Sequence, residues 1–145
     1  MPDPEARQQL EAQTRALLLD LNDCWQRGDV SSIAAFYHPD VVLLPPDLGE
    51  PICGSEAVVA SYLEFLQAAT LERFEVLSLD VFPFSAEPGS RTAAAHLRFA
   101  VTYTLLDERY VEQGLEAYTL ADVGDGLQIL WRHQSVLDSR VESKA

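Results

Sequence analysis

The sequence predicts an α+β fold in which helices pack on one face of a mainly antiparallel β-sheet. Apolar residues recur at helical spacing over the first half of the chain, and their period then changes to two. Turn-forming residues separate the later segments from one another. Helices followed by a run of long strands are typical of this fold class.

The first helix is predicted over Pro4–Arg27, where apolar residues recur at steps of three and four. Proline suits the first turn of a helix, and Gly28 supplies the left-handed residue that commonly ends one. Asp29 is then predicted to cap a short second helix that reaches Phe36.

A short strand is predicted at Val41–Leu44, and two prolines end it. The third helix is predicted from Gly54-Ser55 to about Ala69, with Ser55 as its N-cap and Glu56 in the first turn. These segments complete the predicted helical half of the chain.

Four longer strands follow, and each shows the alternation of a sheet with one buried face. They are predicted at Phe74–Phe82, Thr92–Leu105, Tyr110–Val123 and Leu127–Leu137. The turns between them are predicted at Glu87–Ser90, Asp107–Arg109 and Gly124-Asp125-Gly126. Residues 1–137 are expected to form a single domain, and the polar residues 138–145 are expected to be a frayed tail.

The charge and composition exclude several classes of partner. Ten Lys and Arg against 23 Asp and Glu give the 145-residue chain a net charge of −13, which disfavours nucleic acid and anionic membrane surfaces. No apolar run reaches the about 18 residues of a membrane span, and Met1–Glu5 lacks the basic start of a signal peptide. Cys24 and Cys53 are predicted to be buried free thiols. We therefore expect a soluble cytoplasmic protein.

Four short motifs follow one another in a recognisable order along the chain. They are Trp25-x-x-Gly28-Asp29, Phe36-Tyr37-x-Pro39-Asp40, Gly54-Ser55-Glu56 and the closing segment from Asp125-Gly126 to Ser135. This order resembles the nuclear transport factor 2-like superfamily, in particular its SnoaL-like polyketide cyclase, ketosteroid isomerase-like and calcium/calmodulin-dependent kinase association-domain branches. In the closing segment His133 and Ser135 match, whereas Leu127 stands where Trp is usual and Trp131 where the first His is usual.

The resemblance covers about Leu10 to Leu137 and implies a cystatin-like cone. In such a cone three N-terminal helices pack on a curved sheet, a pocket lies inside, and two copies frequently pair through the outer sheet face. The resemblance implies no single activity, because members include isomerases, dehydratases, cyclases and oligomerising domains.

Strand parity indicates which side chains face the predicted pocket, because alternate side chains face opposite sides of a sheet. On the strand Thr92–Leu105 the apolar row with Phe99 and Tyr103 is predicted to face the interior. Three further aromatic residues are candidates for the pocket: Tyr37, Tyr62 and Tyr118.

The last strand can be placed in two ways. Similarity to the kinase association domain places Arg132 and Gln134 in the pocket and leaves the opposite row on the outer face, although the reverse parity stays open. With the first parity, Trp131 and His133 are predicted to lie at a homodimer interface, since a large exposed apolar patch marks an interaction site.

Asp80 and Glu116 are the candidate catalytic carboxylates. Parity places Asp80 in one row with Val76 and Phe82, where it could serve as a base in an apolar pocket. Glu116 shares a face with Tyr118 and can pair with Arg132 on the neighbouring strand. Ketosteroid isomerase-like proteins use a buried carboxylate of this kind to move a proton. Alternatively, both carboxylates are solvated, or Glu116 and Arg132 form only a cross-strand ion pair.

The sequence contains none of the residue spacings that are typical of a metal site, a nucleotide-binding loop or a nucleophilic serine. No cofactor is therefore predicted. Three functions remain: a homodimer that binds a small hydrophobic or polyketide-like molecule with no assigned reaction, an isomerase or cyclase with a carboxylate base, and an oligomerisation module. The missing catalytic set favours the first.

Overall fold

The computed structural model describes residues 3–47, 49–122, 124 and 126–142. In chain order the elements are α1 (Pro4–Gln26), a 3₁₀ helix (Val30–Phe36), β1 (Tyr37–Leu44), β2 (Ile52–Cys53), α2 (Ser55–Ala68), β3 (Ala69–Ser85), β4 (Thr92–Leu105), β5 (Glu108–Asp122) and β6 (Leu127–Glu142). The strands form one sheet in the order β2-β1-β6-β5-β4-β3, antiparallel except for the β1–β6 pair. The predicted α+β class, with three helices on a curved sheet, is confirmed.

The first helix carries the apolar stripe that holds it on the sheet. Asp3 accepts a hydrogen bond from the Glu5 backbone N–H at 3.0 Å, which satisfies one free donor of the first turn. Leu10, Leu18 and Leu21 are fully buried along one face, and α1 packs across β3 and β4. The three helices and the inner sheet face therefore enclose one apolar core.

The N-terminus of α2 is set by a glycine rather than by a serine. Gly54 is the N-cap with φ of +90°, and its N–H donates to the Val41 carbonyl at 2.8 Å. A residue with a Cβ rarely adopts that backbone conformation. The prediction of Ser55 as N-cap is therefore wrong, because Ser55 is already the first helical residue.

The β4–β5 hairpin turns one residue earlier than the sequence predicts. Leu106 and Asp107 form the two-residue turn, with φ of +52° and +66°, whereas Glu108 already pairs with Leu105. This conformation suits the right-handed twist of paired strands. Of the other predicted turns, the Ser90 N–H donates to the Glu87 carbonyl at 3.0 Å, while Val123 and Asp125 lie outside the described residues.

The last strand is longer than predicted. Residues 138–142 continue β6, and Asp138 and Val141 pair with Gln113 and Tyr110 of β5. The expectation of a frayed tail is wrong for these residues, because the long β5 offers them a full ladder of backbone partners; residues 143–145 lie outside the described chain. The strand Ile52–Cys53 was not predicted at all, and Cys53 is exposed rather than buried.

Of the register irregularities in the sheet, two β-bulges bear on which predicted site residues face the core. In β3, Val76 pairs with Phe99 and Ser78 with Arg98, so Leu77 is an extra residue without a partner. In β6, Ile129 pairs with Leu120 and Trp131 with Thr119, so Leu130 is extra. Each bulge shifts the alternation by one residue, and both shifts decide the composition of the site described below.

Candidate functional site

A cavity of about 340 Å³ lies between the inner face of the sheet and the helices. Its walls are apolar and aromatic, formed by Trp25, Leu43, Pro45, Pro46, Ile52, Phe65, Phe74, Phe99, Val101, Tyr103 and Val136. Its polar groups come from Ser61, Tyr62, Glu112, Glu116, Arg132 and Gln134. Small-molecule pockets usually have volumes of about 300–1,000 Å³, apolar walls and a few polar groups. The cavity therefore has the size and lining of a ligand site.

Strand register brings the polar groups of the cavity floor together. Arg132 lies opposite Tyr118 across the β5–β6 ladder, and Gln134 lies opposite Glu116. Side chains on one face of neighbouring strands also reach their diagonal neighbours. Arg132 can therefore contact Glu116 and Tyr118 at the same time.

A buried ion pair forms the floor of the cavity. Arg132 Nη2 donates to Glu116 Oε1 at 2.7 Å, and the two residues are only 7% and 3% exposed. The hydroxyl of Tyr118 donates to the second carboxylate oxygen, Oε2. Both carboxylate oxygens of Glu116 thus accept hydrogen bonds from protein donors.

Two further phenols complete the network around the guanidinium. Arg132 Nη1 donates to Tyr37 Oη at 3.0 Å and to Tyr62 Oη, and the two phenol oxygens are 2.7 Å apart. The guanidinium carbon lies 5.5 Å from the ring centre of Tyr62 and 5.7 Å from that of Tyr118. At these distances both rings attract the cation.

The ionisation states of the network follow from its burial. Burial raises the pKa of Tyr62 and of Tyr118 well above its usual value, so both phenols keep their protons as donors. Burial alone lowers the pKa of Arg132, but the Glu116 carboxylate and the phenols raise it well above its usual value. The guanidinium therefore stays charged.

The network has unused hydrogen-bonding capacity. One hydroxyl of the Tyr37–Tyr62 pair donates to the other, so the second hydroxyl keeps a free proton. Tyr62 lines the cavity, and with Tyr37 as the donor within the pair the free proton of Tyr62 is available on the cavity side. Within the described part of the chain, Arg132 Nε is a buried donor without an acceptor. With Tyr37 as the donor within the pair, the floor therefore offers the Tyr62 hydroxyl as a donor to an oxygen acceptor.

Most of the predicted pocket residues lie together. Of the predicted residues, those whose side chains line the cavity are Tyr62, Phe99, Tyr103, Arg132, Gln134 and the candidate carboxylate Glu116. Tyr37 and Tyr118 are almost fully buried behind this lining and contact it through their hydroxyls. Whether these residues bind a ligand stays a prediction.

Asp80 does not reach the cavity. It is exposed, and in the β3–β4 ladder its backbone lies opposite that of His96, so its side chain is on the outer face of the sheet. Its neighbours Leu79 and Val81 pack against the core. Placing Asp80 in one row with Val76 is wrong, because the bulge at Leu77 reverses the alternation between them.

Trp131 and His133 lie on the outer face of β6. Trp131 is 41% exposed and His133 is exposed, while Arg132 between them points inward. The parity adopted from the kinase association domain therefore agrees with the structure from Trp131 to Gln134. It fails before that segment, because Ile129 is also buried, on the other side of the bulge at Leu130.

Several cavity residues are absent from the sequence-based set. Trp25, Phe65 and Phe74 form an aromatic wall, with ring centres 6.2 Å apart for Trp25–Phe65 and 5.1 Å apart for Trp25–Phe74. The apolar period of α1 does place Trp25 on the core face. Glu112 also lines the cavity; it shares the parity of Glu116, and that signal could have identified it.

Two kinds of feature are missing from the residues that the structure describes. They contain no group of three or more His, Cys, Asp or Glu side chains arranged to hold a metal ion. Nor do the described helices include one that is long and apolar enough to cross a bilayer.

Comparisons with known proteins agree with this architecture. A family model for the SnoaL-like domain matches residues 18–129, while no curated protein matches the sequence. A ketosteroid isomerase-like protein from Erwinia carotovora atroseptica is similar with a TM-score of 0.74 and 19% identity, over 88% of this chain and 96% of that chain. A proposed calcium/calmodulin-dependent protein kinase II association domain from Xanthomonas campestris has a TM-score of 0.69 and 19% identity, over 86% of each chain. An uncharacterised protein with a cystatin-like fold from Caulobacter vibrioides is similar with a TM-score of 0.65 and 15% identity, over 86% of this chain and 87% of that chain. At such identities these structures show the fold alone.

Proposed function

Because the chain belongs to the SnoaL-like domain family of the nuclear transport factor 2-like superfamily, we propose that it is a homodimer that binds a small apolar molecule inside its cavity. No reaction is assigned to it. Family membership does not carry this proposal by itself, since one fold serves many functions.

The observation that carries the proposal is the contrast between the walls and the floor of the cavity. The eleven wall residues are apolar or aromatic, and the floor ends in the Arg132–Glu116 pair with Tyr62 beside it. Apolar walls favour a hydrophobic body, and a few placed polar groups orient it. The expected ligand is therefore a hydrophobic molecule with an oxygen acceptor at the end that meets Tyr62.

The two tryptophans provide a direct test of cavity binding. Trp25 lines the cavity, whereas Trp131 lies outside it on the outer face. In a Trp131→Phe variant, which keeps only Trp25, a hydrophobic ketone that binds should change the tryptophan fluorescence, and the change should saturate as the ketone concentration rises. In a Trp25→Phe variant the same ligand should leave the Trp131 emission unchanged.

Blocking the cavity supplies the control for this titration. Val136 lines the cavity and is 40% exposed, whereas Val141 is more exposed and does not line it. Val136→Trp should abolish binding while Val141→Trp should retain it, with calorimetry as the readout for these two variants. A library of hydrophobic ketones that never gives a saturable signal in either assay would contradict the proposal.

The homodimer is expected to form through the outer face of the sheet. One row across the strands places Phe82 and Trp131 at its ends, with Ala94 and Thr119 between them. Phe82 is 53% exposed. Large apolar residues around small ones form a shallow surface that a second copy can fill, and exposed apolar patches mark such sites.

Replacing Trp131 with glutamate should therefore convert the dimer into a monomer, because a charge cannot be buried there without a partner. Sedimentation velocity would measure the change. Leu106→Glu is the matched control, since Leu106 is 88% exposed at the tip of the β4–β5 hairpin. A wild-type protein that sediments as a monomer at all concentrations would refute the dimer.

A second candidate function is an isomerase or cyclase with Glu116 as its base. It is favoured by one observation, which is that Glu116 lines the cavity beside Tyr62 and Arg132. Against it, both oxygens of Glu116 already accept hydrogen bonds, so only the remaining lone pair of each oxygen is left to take a substrate proton. Exchange of solvent deuterium into a bound ketone, catalysed by the wild type, would favour this enzyme over simple binding.

A further inference from the structure

The charges that line the cavity do not balance. Among the described lining residues, Arg132 is the only cation, and Glu112 and Glu116 are the anions. Arg132 pairs with Glu116 at 2.7 Å, so this pair carries no net charge. The charge of Glu112 is therefore left without a cation in the cavity.

Among the described residues, the guanidinium of Arg132 forms its ion pair with Glu116 and not with Glu112. Glu112 lies four residues before Glu116 on the same strand, so the Cα atoms of the two glutamates are about 13 Å apart. Its hydrogen-bond partners are neutral hydroxyls: Tyr103 donates to Oε1 at 3.0 Å, and Ser139 donates to Oε2 at 2.7 Å. These donors orient the carboxylate but leave its negative charge in place.

The surroundings of Glu112 suit an organic cation. Tyr103 stacks on Tyr110 with ring centres 5.2 Å apart, and it forms a T-shaped pair with Phe65 with ring centres 5.3 Å apart. Burial raises the pKa of Tyr103 above its usual value, and the hydrogen bond to Glu112 adds to this effect. The ring therefore stays a neutral phenol, and the electron-rich faces of such rings attract cations.

We propose that the cavity selects a ligand with a protonated amine on an apolar, ring-containing body, and that Glu112 binds the ammonium group beside the Tyr103 ring. The inference rests on the proposed binding function and names its ligand class. An anionic ligand would meet the uncompensated charge of Glu112, and the net charge of −13 also raises the local concentration of cations around the chain.

The test compares three probes that share one ring system and differ in charge. They are 2-naphthylmethylamine, which is protonated at pH 7, 2-naphthalenemethanol and 2-naphthoate. Calorimetric titrations would use the wild type, Glu112→Gln and Glu75→Gln. The glutamine at position 112 keeps one oxygen that can accept from Tyr103, and its amide nitrogen can donate to the Ser139 hydroxyl. Glu75 is an exposed residue outside the cavity whose replacement removes the same charge.

We expect the wild type to bind the amine at least tenfold more tightly than the alcohol and to bind the carboxylate most weakly. Glu112→Gln should abolish the preference for the amine while the alcohol still binds, and Glu75→Gln should preserve it. Equal or tighter binding of the alcohol or the carboxylate by the wild type would overturn the inference and leave the proposed binding function standing. A preference that survives in Glu112→Gln would overturn the assignment of the ammonium to Glu112. If none of the probes binds at millimolar concentration while a hydrophobic ketone still gives a saturable signal, the inference fails and the proposed binding function stands; if no ketone binds either, both fail.

Discussion

Replacing Glu116 with glutamine is expected to lower the free energy of unfolding by about 3–5 kcal/mol. The change would leave the Arg132 guanidinium buried, charged and without its counter-ion, since Arg132 is only 7% exposed. An uncompensated buried charge is far more costly than the loss of an exposed ion pair, which contributes at most about 1 kcal/mol. Urea unfolding followed by circular dichroism would measure the difference.

Two variants test the origin of this loss. Glu75→Gln breaks the exposed Arg73–Glu75 pair and should leave the unfolding midpoint almost unchanged. The double variant Glu116→Leu/Arg132→Met removes both charges and should be more stable than Glu116→Gln alone, because no charge is left buried. A double variant no more stable than the single one would contradict a charge-based explanation.

Replacing Gly114 with alanine is expected to be the second large effect. A Cβ at this position would lie 2.5 Å from Cζ of Phe99 and 2.6 Å from the backbone oxygen of Ser135. The Phe99 ring could move, but the Ser135 oxygen belongs to the paired strand β6. We expect a loss of about 1–3 kcal/mol, as for an overpacked core. Binding should also weaken, because Phe99 lines the cavity.

Thermal unfolding would measure this loss, with Gln113→Ala as the control on the exposed neighbouring residue. Adding Phe99→Leu to Gly114→Ala removes the contact with the ring but not the contact with Ser135. The double variant should therefore recover only part of the stability lost on the alanine substitution alone. A Gly114→Ala variant that unfolds at the wild-type temperature would show that the strands can separate without cost.

The spacing of apolar residues predicts helices and strands well where no other local signal conflicts with it. The apolar period of α1 has no competing signal, and its predicted end, Arg27, is one residue beyond the observed end. The strand Thr92–Leu105 was predicted with its observed bounds, since its alternation is unbroken. Ser55 failed as an N-cap because Gly54, with its positive φ, took that position.

On the long strands, parity predicted the candidate site correctly where the alternation runs without interruption. Phe99 and Tyr103 lie in β4, which pairs with β5 without a bulge, and both line the cavity as predicted. Asp80 lies beyond the bulge in β3 and was assigned to the wrong face. Arg132 was placed correctly by similarity to a family, not by the alternation of its own strand.

The sequence by itself determined the number of helices, the change to strands, the strong negative charge and half of the aromatic residues that line the cavity. These features follow from local spacing and composition, which a single chain displays in full. Only the tertiary structure decided that Glu116 pairs with Arg132, that Asp80 faces outward and that the described lining of the cavity holds no cation for Glu112. Those outcomes depend on strand register and on extra residues at Leu77 and Leu130, and a register is set by partners that are distant in the sequence.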